Sequence, residues 1–410
     1  MRLRRQRIHA VDRGAIRALT ARGGWLVETP NSIRAGFGAP LATQVLDGGL
    51  AAEETLKVLD GLDVEGEPAP AMVGPVAFMT VPFERDGPIR AWVPEHQIVV
   101  SDDATTWLVS TDPERALDEL AAAPTGDVDA RYDVATTDYS PTPDAYASAV
   151  AQAVELMRHS DLQKVVLARR VAGRSSVDID PAAVAQRLHD REPSCTLFAF
   201  PGGPNERFVG ASPELVVANY EGSVSAHPLA GTITLPTDDE GLEYATWLMG
   251  SSKNLFEHRV VVEDIVERLC TRCDDVRSDP TPSIVTLRSV AHLGTWIHGK
   301  IASPTSTTAL ELLALVHPTA AVGGIPQSDA VEVIHRLEPQ PRGLYAGAVG
   351  WMDTEGTGEW WLAIRGITLE GPRFSAWAGA GIVADSDPIA EREETRDKLR
   401  SILIGLGADA

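Results

Sequence analysis

The sequence predicts a mixed α/β (α+β) protein, and three observations support this fold class. Apolar runs of strand length recur along the chain and are separated by glycine and proline. Longer segments between them repeat apolar residues at helical spacing. No strand-like run leads into the glycine pattern of a dinucleotide-binding or P-loop fold, and no internal repeat is visible. We therefore expect sheets and amphipathic helices in a fold other than these two nucleotide-binding types.

The composition is that of an ordinary globular protein and excludes several functional classes. The chain has 410 residues, 44% hydrophobic and 23% charged, enough for one large domain or two smaller ones. Its formal net charge of -22 argues against a general binder of nucleic acid or anionic membranes, because such surfaces need clustered Lys and Arg. We expect no membrane span, because no apolar run has the required length, and no secretory signal, because the basic residues 1–7 precede no apolar segment.

Cysteine usage favours a reducing compartment. The cysteines Cys195, Cys270 and Cys273 make no disulfide framework, so we expect a cytoplasmic protein. Cys270 and Cys273 form a CxxC pair, which is open to a redox or zinc-binding role or to incidental thiols. Because the pair lies at the end of a predicted helix and no second pair follows, incidental thiols are the favoured interpretation.

The first third of the chain is predicted to be scaffold, because it shows no cluster of chemically reactive residues. The expected elements are strands at residues 24–28, 74–79, 91–94 and 97–100 and helices at residues 51–59 and 113–122. A polar, proline-bearing segment at residues 123–143 then predicts a surface connection.

The middle of the chain places charged residues beside apolar ones. In the strand predicted at residues 162–171, Lys164 shares a face with Val166. Burial favours the neutral form of a lysine, which makes it a base, although a lysine that reaches water from a strand edge would show the same pattern. Glu214 follows a tight turn between two predicted strands and lies at the mouth of the second one.

The helix predicted at residues 253–270 turns a carboxylate inwards. Glu257 lies one turn before Val261 on its apolar stripe, whereas Glu263 and Glu267 occupy polar positions. Mg²⁺ is typically held by one or two carboxylates, water and an anionic group of the substrate. Glu257 is therefore a candidate metal ligand.

The C-terminal helix repeats this arrangement. At about 100° per residue, Glu391, Glu394 and Lys398 fall within one narrow arc, and Ile402 continues the arc into the core. Unpaired buried charges are strongly disfavoured, so these side chains need partners. A solvated i,i+4 ion pair between Glu394 and Lys398 is the alternative, and the helix by itself does not distinguish the two.

Two further features suggest the binding of an anion. Arg365 lies in an apolar strand predicted at residues 359–367, and its planar fork suits a carboxylate, with a buried ion pair as the alternative. Gly231 ends another predicted strand and permits close approach of the backbone to a ligand. A sheet is expected to resume at residues 343–351.

These segments, in this order, resemble the chorismate-utilising enzymes, the family of isochorismate synthase, salicylate synthase, anthranilate synthase component I and aminodeoxychorismate synthase component I. The resemblance covers residues 140–405 strongly and the first third weakly. It depends on motifs at residues 163–169, 210–214, 229–232, 257–258, 317–319, 345–347, 363–365, 378–383 and 391–398. Each motif alone is weak, but the ordered set is highly specific.

The resemblance implies one large α/β unit, in which two mostly antiparallel sheets form a layered core with helices outside and the active site between the sheets. It makes residues 1–135 the N-terminal scaffold part and residues 140–410 the chorismate-binding catalytic core of one integrated domain. It also places Mg²⁺ on Glu257 and Glu394, with Glu391 close by.

The resemblance further implies that water adds to the chorismate ring. Members that use water have a lysine at the position of Lys164, and members that use ammonia typically do not. The loop at residues 317–324 looks more like isochorismate synthases than salicylate synthases. The implied reaction is the isomerisation of chorismate to isochorismate, in which water attacks ring C2 as the C4 hydroxyl leaves. A salicylate synthase, which also eliminates pyruvate, and a catalytically silent chorismate-binding homologue are the alternatives.

Roles for individual residues follow from the same resemblance. Neutral Lys164 would take a proton from water, and protonated Glu214 would give one to the departing hydroxyl. Mg²⁺ would bind the ring carboxylate, and Arg365 with Tyr345 would hold the enolpyruvyl carboxylate. The substrate-binding residues are then Gly231, Thr232, Tyr345, Arg365, Gly379, Gly381 and Lys398. We expect a monomer or weak homodimer, no glutamine amidotransferase subunit, and a product that serves menaquinone, siderophore or salicylate synthesis.

Overall fold

Strands dominate the N-terminal part of the computed structural model, which describes residues 1–47, 51–70, 72–235, 241–303 and 307–407, with the backbone alone for residues 241–245. The strands here are β1 (Arg2–Ile8), β2 (Trp25–Glu28), β3 (Ile33–Leu46), β4 (Asp63–Gly66), β5 (Val76–Val81), β6 (Ile89–Val100), β7 (Thr106–Ser110) and β8 (Val134–Ser140). The helices are α1 (Arg13–Gly23), α2 (Ala51–Asp60) and α3 (Pro113–Ala122). The two strands predicted at residues 91–94 and 97–100 are one strand, β6, because Pro94 lies at an irregularity in its pairing with β3 that the strand passes through.

The rest of the described chain alternates strands and helices. Its strands are β9 (Lys164–Ser175), β10 (Thr196–Gly203), β11 (Glu206–Ser212), β12 (Leu215–Tyr220), β13 (Ser223–His227), β14 (Leu229–Thr234), β15 (Cys273–Ser278), β16 (Ser283–Thr286), β17 (Val290–Gly294), β18 (Ile297–Ile301), β19 (Gly324–Ile325), β20 (Ala348–Asp353), β21 (Gly358–Leu362), β22 (Gly366–Glu370) and β23 (Arg373–Ile382). Its helices are α4 (Pro143–Met157), α5 (Pro181–Arg191), α6 (Gly241–Gly250), α7 (Ser252–Leu269), α8 (Ala309–Val316), α9 (Gln327–Leu337), α10 (Pro388–Leu403) and a 3-10 turn (Ile404–Leu406).

Antiparallel pairing organises these strands. Hydrogen bonds join 20 of the described strands into one network, and β14, β17 and β16 form a separate three-stranded sheet. The pair β1–β4 is parallel, whereas pairs such as β2–β10, β5–β20 and β9–β23 are antiparallel. The first third of the chain therefore shares its sheet with later strands. The prediction of a mixed α/β fold with large, mostly antiparallel sheets is confirmed.

Strand β9 lies beside the region where the predicted site residues converge. On one edge it pairs with β23 along residues 165–174. On the other edge, β19 pairs with residues 164 and 165, and β8 pairs with residues 170–175. Within the described ranges no strand pairs with residues 166–169 on this second edge, so other groups must satisfy its backbone there.

Capped helices pack on two large cores. Tyr146, Val261 and Leu167 belong to a cluster covered by α4, α7, α8 and α9, and the Tyr146 hydroxyl donates to the Leu167 carbonyl at 2.9 Å. Leu399 of α10 belongs to a second cluster that also includes residues of α1 and α5. The hydroxyl of Ser251 caps α7, which fixes where the carboxylate side chains on that helix emerge. No helix within the described ranges is both long and apolar enough to cross a membrane.

Two irregular segments correct the sequence-based strand predictions. Residues 343–347 form a turn instead of the start of a strand, and β20 begins at Ala348. Arg365 lies in a bend between β21 and β22 instead of inside one continuous strand. Ala346 and Arg365 have φ of +62° and +52°, which is incompatible with extended strand geometry. The two segments bond to each other instead, because the Ala346 N–H donates to the Ala363 carbonyl at 2.9 Å.

Candidate active site

A single cavity, which we call the central cavity, collects most of the predicted site residues. Its lining includes residues of β9, β14, β17, β23, α7 and α10. The predicted residues that line it are Glu214, Gly231, Thr232, Glu257, Tyr345, Arg365, Gly379, Gly381, Glu394 and Lys398. Lys164 and Glu391 are not among its lining residues, although Lys164 Nζ lies 3.1 Å from Oε1 of the lining residue Glu257.

Glu214 lies in the turn between β11 and β12, at the mouth of β12 as predicted. Its side chain is buried, and this burial raises the pKa of the carboxyl group to about 8. A hydrogen bond from the Leu229 N–H and the nearby charge of Lys164 lower the pKa, but burial outweighs them. Glu214 therefore keeps a proton at neutral pH and can donate it into the central cavity.

Lys164 is the first residue of β9 and is fully buried, so it does not reach water from the strand edge. Its Nζ lies 3.1 Å from Oε1 of Glu257. Among the described residues no well-directed hydrogen-bond acceptor for this Nζ is present. A Cβ at Gly381 would lie 2.1 Å from Oε1 of Glu257 and 3.1 Å from Cε of Lys164, so the missing side chain of Gly381 leaves room for both groups.

Glu394 and Lys398 combine the two arrangements that the sequence left open, an i,i+4 ion pair and charged side chains that face inwards. Lys398 Nζ lies 2.7 Å from Oε1 of Glu394, which is the i,i+4 ion pair. Yet both side chains line the central cavity, where about a fifth of each is exposed, at 23% and 18%. Lys398 Nζ also donates to the Gly379 carbonyl at 3.0 Å, so α10 is tied to β23 at the cavity wall.

Glu391 is held by a residue that the sequence did not single out. Its Oε1 accepts from Lys253 Nζ at 2.7 Å, and its side chain is buried. Burial and the neighbouring charge of Glu394 raise the pKa of Glu391. Lys253 lies on α7 one turn before Glu257, so the ion pair connects the two helices that contribute carboxylates.

Of the three predicted metal ligands, two are in positions that suit a metal ion. Within the described ranges no three His, Cys, Asp or Glu side chains form a metal-binding cluster. Glu257 and Glu394 nevertheless line the same cavity, and two carboxylates with water and an anionic substrate are a common Mg²⁺ site. Glu391 instead bonds to Lys253.

Arg365 and Thr232 are connected through His292, which sequence reasoning missed. Arg365 Nη2 lies 2.8 Å from His292 Nε2, and His292 Nδ1 lies 3.0 Å from Thr232 Oγ1. Burial and the positive charge of Arg365 lower the pKa of His292 well below its usual value, so the ring is neutral. Because a guanidinium only donates, Nε2 accepts and the Nδ1 proton goes to Thr232. The sequence signal that could have identified His292 is its position as a polar residue at the centre of the apolar strand β17.

Arg365 and Tyr345 meet the cavity from the two irregular segments. The Tyr345 ring stacks on Trp377, with ring centroids 5.5 Å apart and planes 11° apart. Burial raises the pKa of Tyr345 and lowers that of Arg365, so Tyr345 stays protonated and can donate a hydrogen bond. The positive φ of Gly231, +73°, lies at a bulge in β14 that turns its backbone toward α7.

Comparisons with known proteins show the family to which the chain belongs. A family model described as chorismate binding enzyme matches residues 90–407. The vibriobactin-specific isochorismate synthase of Vibrio cholerae is 32% identical over 337 residues, which are 82% of this chain and 80% of that protein. Isochorismate synthase MenF of Bacillus subtilis is 36% identical over 271 residues, 65% of this chain, and the match spans only 56% of that protein's length.

A solved structure shows that the fold is shared. The structure of MenF, the menaquinone-specific isochorismate synthase from Escherichia coli, matches with a TM-score of 0.82 and 23% identity, and covers 98% of this chain and 94% of that chain. The chain therefore belongs to the family of chorismate binding enzymes. Its relatives within the family confirm the prediction from the sequence that the protein is an isomerase-type enzyme of the isochorismate synthase group.

Proposed function

We propose that the protein converts chorismate to isochorismate by adding water at ring C2 as the C4 hydroxyl leaves. The observation that supports this most is Glu214, a buried carboxyl group with its pKa raised to about 8 that faces the central cavity. A carboxylic acid that stays protonated at neutral pH is what a leaving hydroxyl needs. The relatives that are named isochorismate synthases support the same reaction.

Lys164 and Glu214 supply the two proton transfers. Lys164 takes a proton from the attacking water, and Glu257, 3.1 Å away, stabilises the ammonium that results. Glu214 gives its proton to the C4 oxygen as the C4–O bond breaks and the ring double bonds shift. The enzyme takes up one proton and gives up one, so the reaction consumes and releases no net proton.

We also propose that Glu257 and Glu394 hold Mg²⁺, because both carboxylates line the central cavity. When bound, the ion would neutralise the ring carboxylate and polarise the conjugated ring as a Lewis acid. Glu391 supports this site through its ion pair with Lys253 on the opposite helix. The ion pair connects α10, which carries Glu394, to α7, which carries Glu257.

The remaining cavity residues hold the substrate. Arg365 and Tyr345 bind the enolpyruvyl carboxylate as hydrogen-bond donors. Thr232 receives the Nδ1 proton of His292, so its own hydroxyl proton is free to reach the substrate. Gly379, Gly381 and Lys398 complete the anion-binding wall, which concentrates positive charge inside an acidic protein. Because water is the nucleophile, we expect no amidotransferase subunit, and the free thiols support a cytoplasmic location.

Product analysis tests this proposal. The protein is incubated with chorismate, with and without Mg²⁺, beside Lys164→Ala and the surface control Lys57→Ala, whose side chain is 67% exposed. Isochorismate that requires Mg²⁺, is lost in Lys164→Ala and is kept in Lys57→Ala would support the assignment. Salicylate with pyruvate would make the protein a salicylate synthase, and unchanged chorismate would refute the proposed activity.

A further inference from the structure

Two side chains, together with the Gly323 carbonyl that accepts from the Val166 N–H at 2.8 Å, satisfy the open edge of β9 instead of a strand. The Ala168 N–H donates to Oε1 of Glu338 at 2.8 Å. The Val166 carbonyl accepts from Nη2 of Arg342 at 2.7 Å. Glu338 follows directly after α9, and Arg342 lies in the loop beyond it. The two side chains therefore replace the missing strand beside the segment that begins with Lys164.

Glu338 and Arg342 also bind each other in a closed pair. Arg342 Nε donates to Oε2 of Glu338 at 2.8 Å, and Nη2 donates to Oε1. Both side chains are buried, with 1% and 3% of their surface exposed. The guanidinium also lies over the Phe83 ring, 4.4 Å from its centroid. A fork held on both sides in this way has a fixed orientation.

Arg342 joins three walls of the central cavity. Besides the Val166 carbonyl, its Nη1 donates to the Val322 carbonyl at 2.8 Å. The carbonyl of Arg342 accepts from the Tyr345 N–H at 3.2 Å. Val166, Val322 and Tyr345 all line the cavity, whereas Glu338 and Arg342 do not. The ion pair thus links the strand of Lys164 to the loop at residues 317–324, and its guanidinium lies 5.9 Å from the centroid of the Tyr345 ring.

We propose that Glu338 and Arg342 are positioning residues for the reaction, which hold Lys164 and Tyr345 at the spacing that the substrate requires. This inference rests on the proposed function, because it concerns the same cavity. Stability alone does not account for the pair, since neutral residues of similar size often replace a buried ion pair without loss of stability. The contacts with three cavity walls give the pair a role that an ordinary core ion pair lacks.

The test compares two double variants. Glu338→Gln/Arg342→Met removes both charges together, so that no unpaired charge stays buried. The matched control is Glu28→Gln/Arg17→Met, which removes another buried pair in which Arg17 Nε lies 2.7 Å from Glu28 Oε2, and neither residue lines the central cavity. The measurements are Tm, kcat and KM for chorismate, and chorismate affinity by calorimetry.

We expect any change in Tm to be similar in the two double variants, while only Glu338→Gln/Arg342→Met loses activity. A displacement of about 1 Å in a catalytic group lowers kcat on the order of 100-fold, and movement of the Tyr345 turn raises KM as well. Equal kinetics in the two double variants would overturn the proposal. Should Glu338→Gln/Arg342→Met fail to fold, Arg342→Lys decides: it keeps the charge but not the fork, and kinetics like the wild type would refute the proposal.

The two proposals can fail separately. Wild-type protein that leaves chorismate unchanged would refute the proposed activity. Chorismate affinity then becomes the readout for positioning. Weaker affinity in Glu338→Gln/Arg342→Met than in the control would support the positioning role, and equal affinity in the two double variants would refute it.

Discussion

Lys164 Nζ lies 3.1 Å from Oε1 of Glu257 in a fully buried position. This relationship connects the proposed base to one of the two proposed metal ligands. Lys164 belongs to β9 and Glu257 to α7, so their spacing depends on how the helix packs on the sheet. The absence of a side chain at Gly381 is what allows the two groups to meet.

Substitution of Gly381 by alanine is expected to separate this pair. The added Cβ would lie 2.1 Å from Oε1 of Glu257, well inside van der Waals contact, so the carboxylate must move. We expect kcat to fall on the order of 100-fold and Mg²⁺ affinity, measured by calorimetry, to fall with it. Gly74→Ala is the matched control, because a Cβ there would meet nothing within 4 Å. Wild-type kcat and Mg²⁺ affinity in Gly381→Ala would contradict the account.

The pH dependence of the reaction is expected to report Glu214. Its pKa of about 8 means that the proton donor is lost as pH rises, so kcat/KM should fall above about pH 8. Glu214→Gln should lower kcat about 100- to 10,000-fold, and its residual activity should not show the same alkaline limb. A pH profile of both proteins checks this. If the alkaline limb of the pH profile were unchanged in Glu214→Gln, the ionisation would belong to another group.

The same ionisation affects stability in a defined direction. Burial raises the pKa of Glu214 in the folded state from 4.5 to about 8, so the unfolded chain releases this proton first as pH rises. Protonated Glu214 therefore favours folding fully below about pH 4.5, and this contribution is lost between that pH and about 8. Denaturant unfolding of wild type and Glu214→Gln across this range measures the free energy of unfolding of each. As pH rises, the wild type should lose stability relative to the variant. A constant difference would contradict the raised pKa.

Substitution of the carboxylates should separate metal ligands from supporting residues. Glu257→Gln and Glu394→Gln are each expected to weaken Mg²⁺ binding strongly, because each removes a charged oxygen donor from the cavity. Glu391→Gln should have a smaller effect, because Glu391 acts through Lys253. Calorimetric titration with Mg²⁺ measures all three, and Glu53→Gln, on the exposed face of α2, is the control. Equal losses in Glu391→Gln and Glu394→Gln would make Glu391 a direct ligand.

Replacement of Arg365 by lysine should affect substrate binding more than turnover. Lysine keeps the charge but cannot bond to His292 and hold a carboxylate with the same planar fork. We expect KM for chorismate to rise about tenfold, which corresponds to about 1.4 kcal/mol, with a smaller change in kcat. Arg373→Lys, at a solvent-exposed ion pair, should leave both constants unchanged. An unchanged KM in Arg365→Lys would remove Arg365 from the substrate site.

Much of this arrangement could be predicted from helical and strand periodicity. The inward stripe of α7 placed Glu257 correctly in a buried position, and the narrow arc of α10 placed Glu391 there as well. The apolar neighbours of Lys164 in β9 suggested its burial but also allowed a lysine that reaches water from a strand edge, and the structure decides for burial. These positions depend on local spacing, which the sequence records directly.

Other parts of the site depend on tertiary contacts that spacing does not record. The bend at Arg365 and the turn at Tyr345 were predicted as strand because their neighbours in the sequence are apolar. Both segments contain a residue with positive φ, and a hydrogen bond between the two segments stabilises them. His292 and Lys253 gained their roles only when separate elements came together. The Glu338–Arg342 pair was missed because it fills a gap between two strands that no local pattern shows.

The most direct test of the central claim is the fate of the oxygen of water. The protein is incubated with chorismate and Mg²⁺ in water enriched in oxygen-18, and the product is examined by mass spectrometry. Addition of water at C2 with loss of the C4 hydroxyl predicts isochorismate that carries one oxygen-18 in the C2 hydroxyl. Unlabelled isochorismate, or no isochorismate at all, would contradict the account.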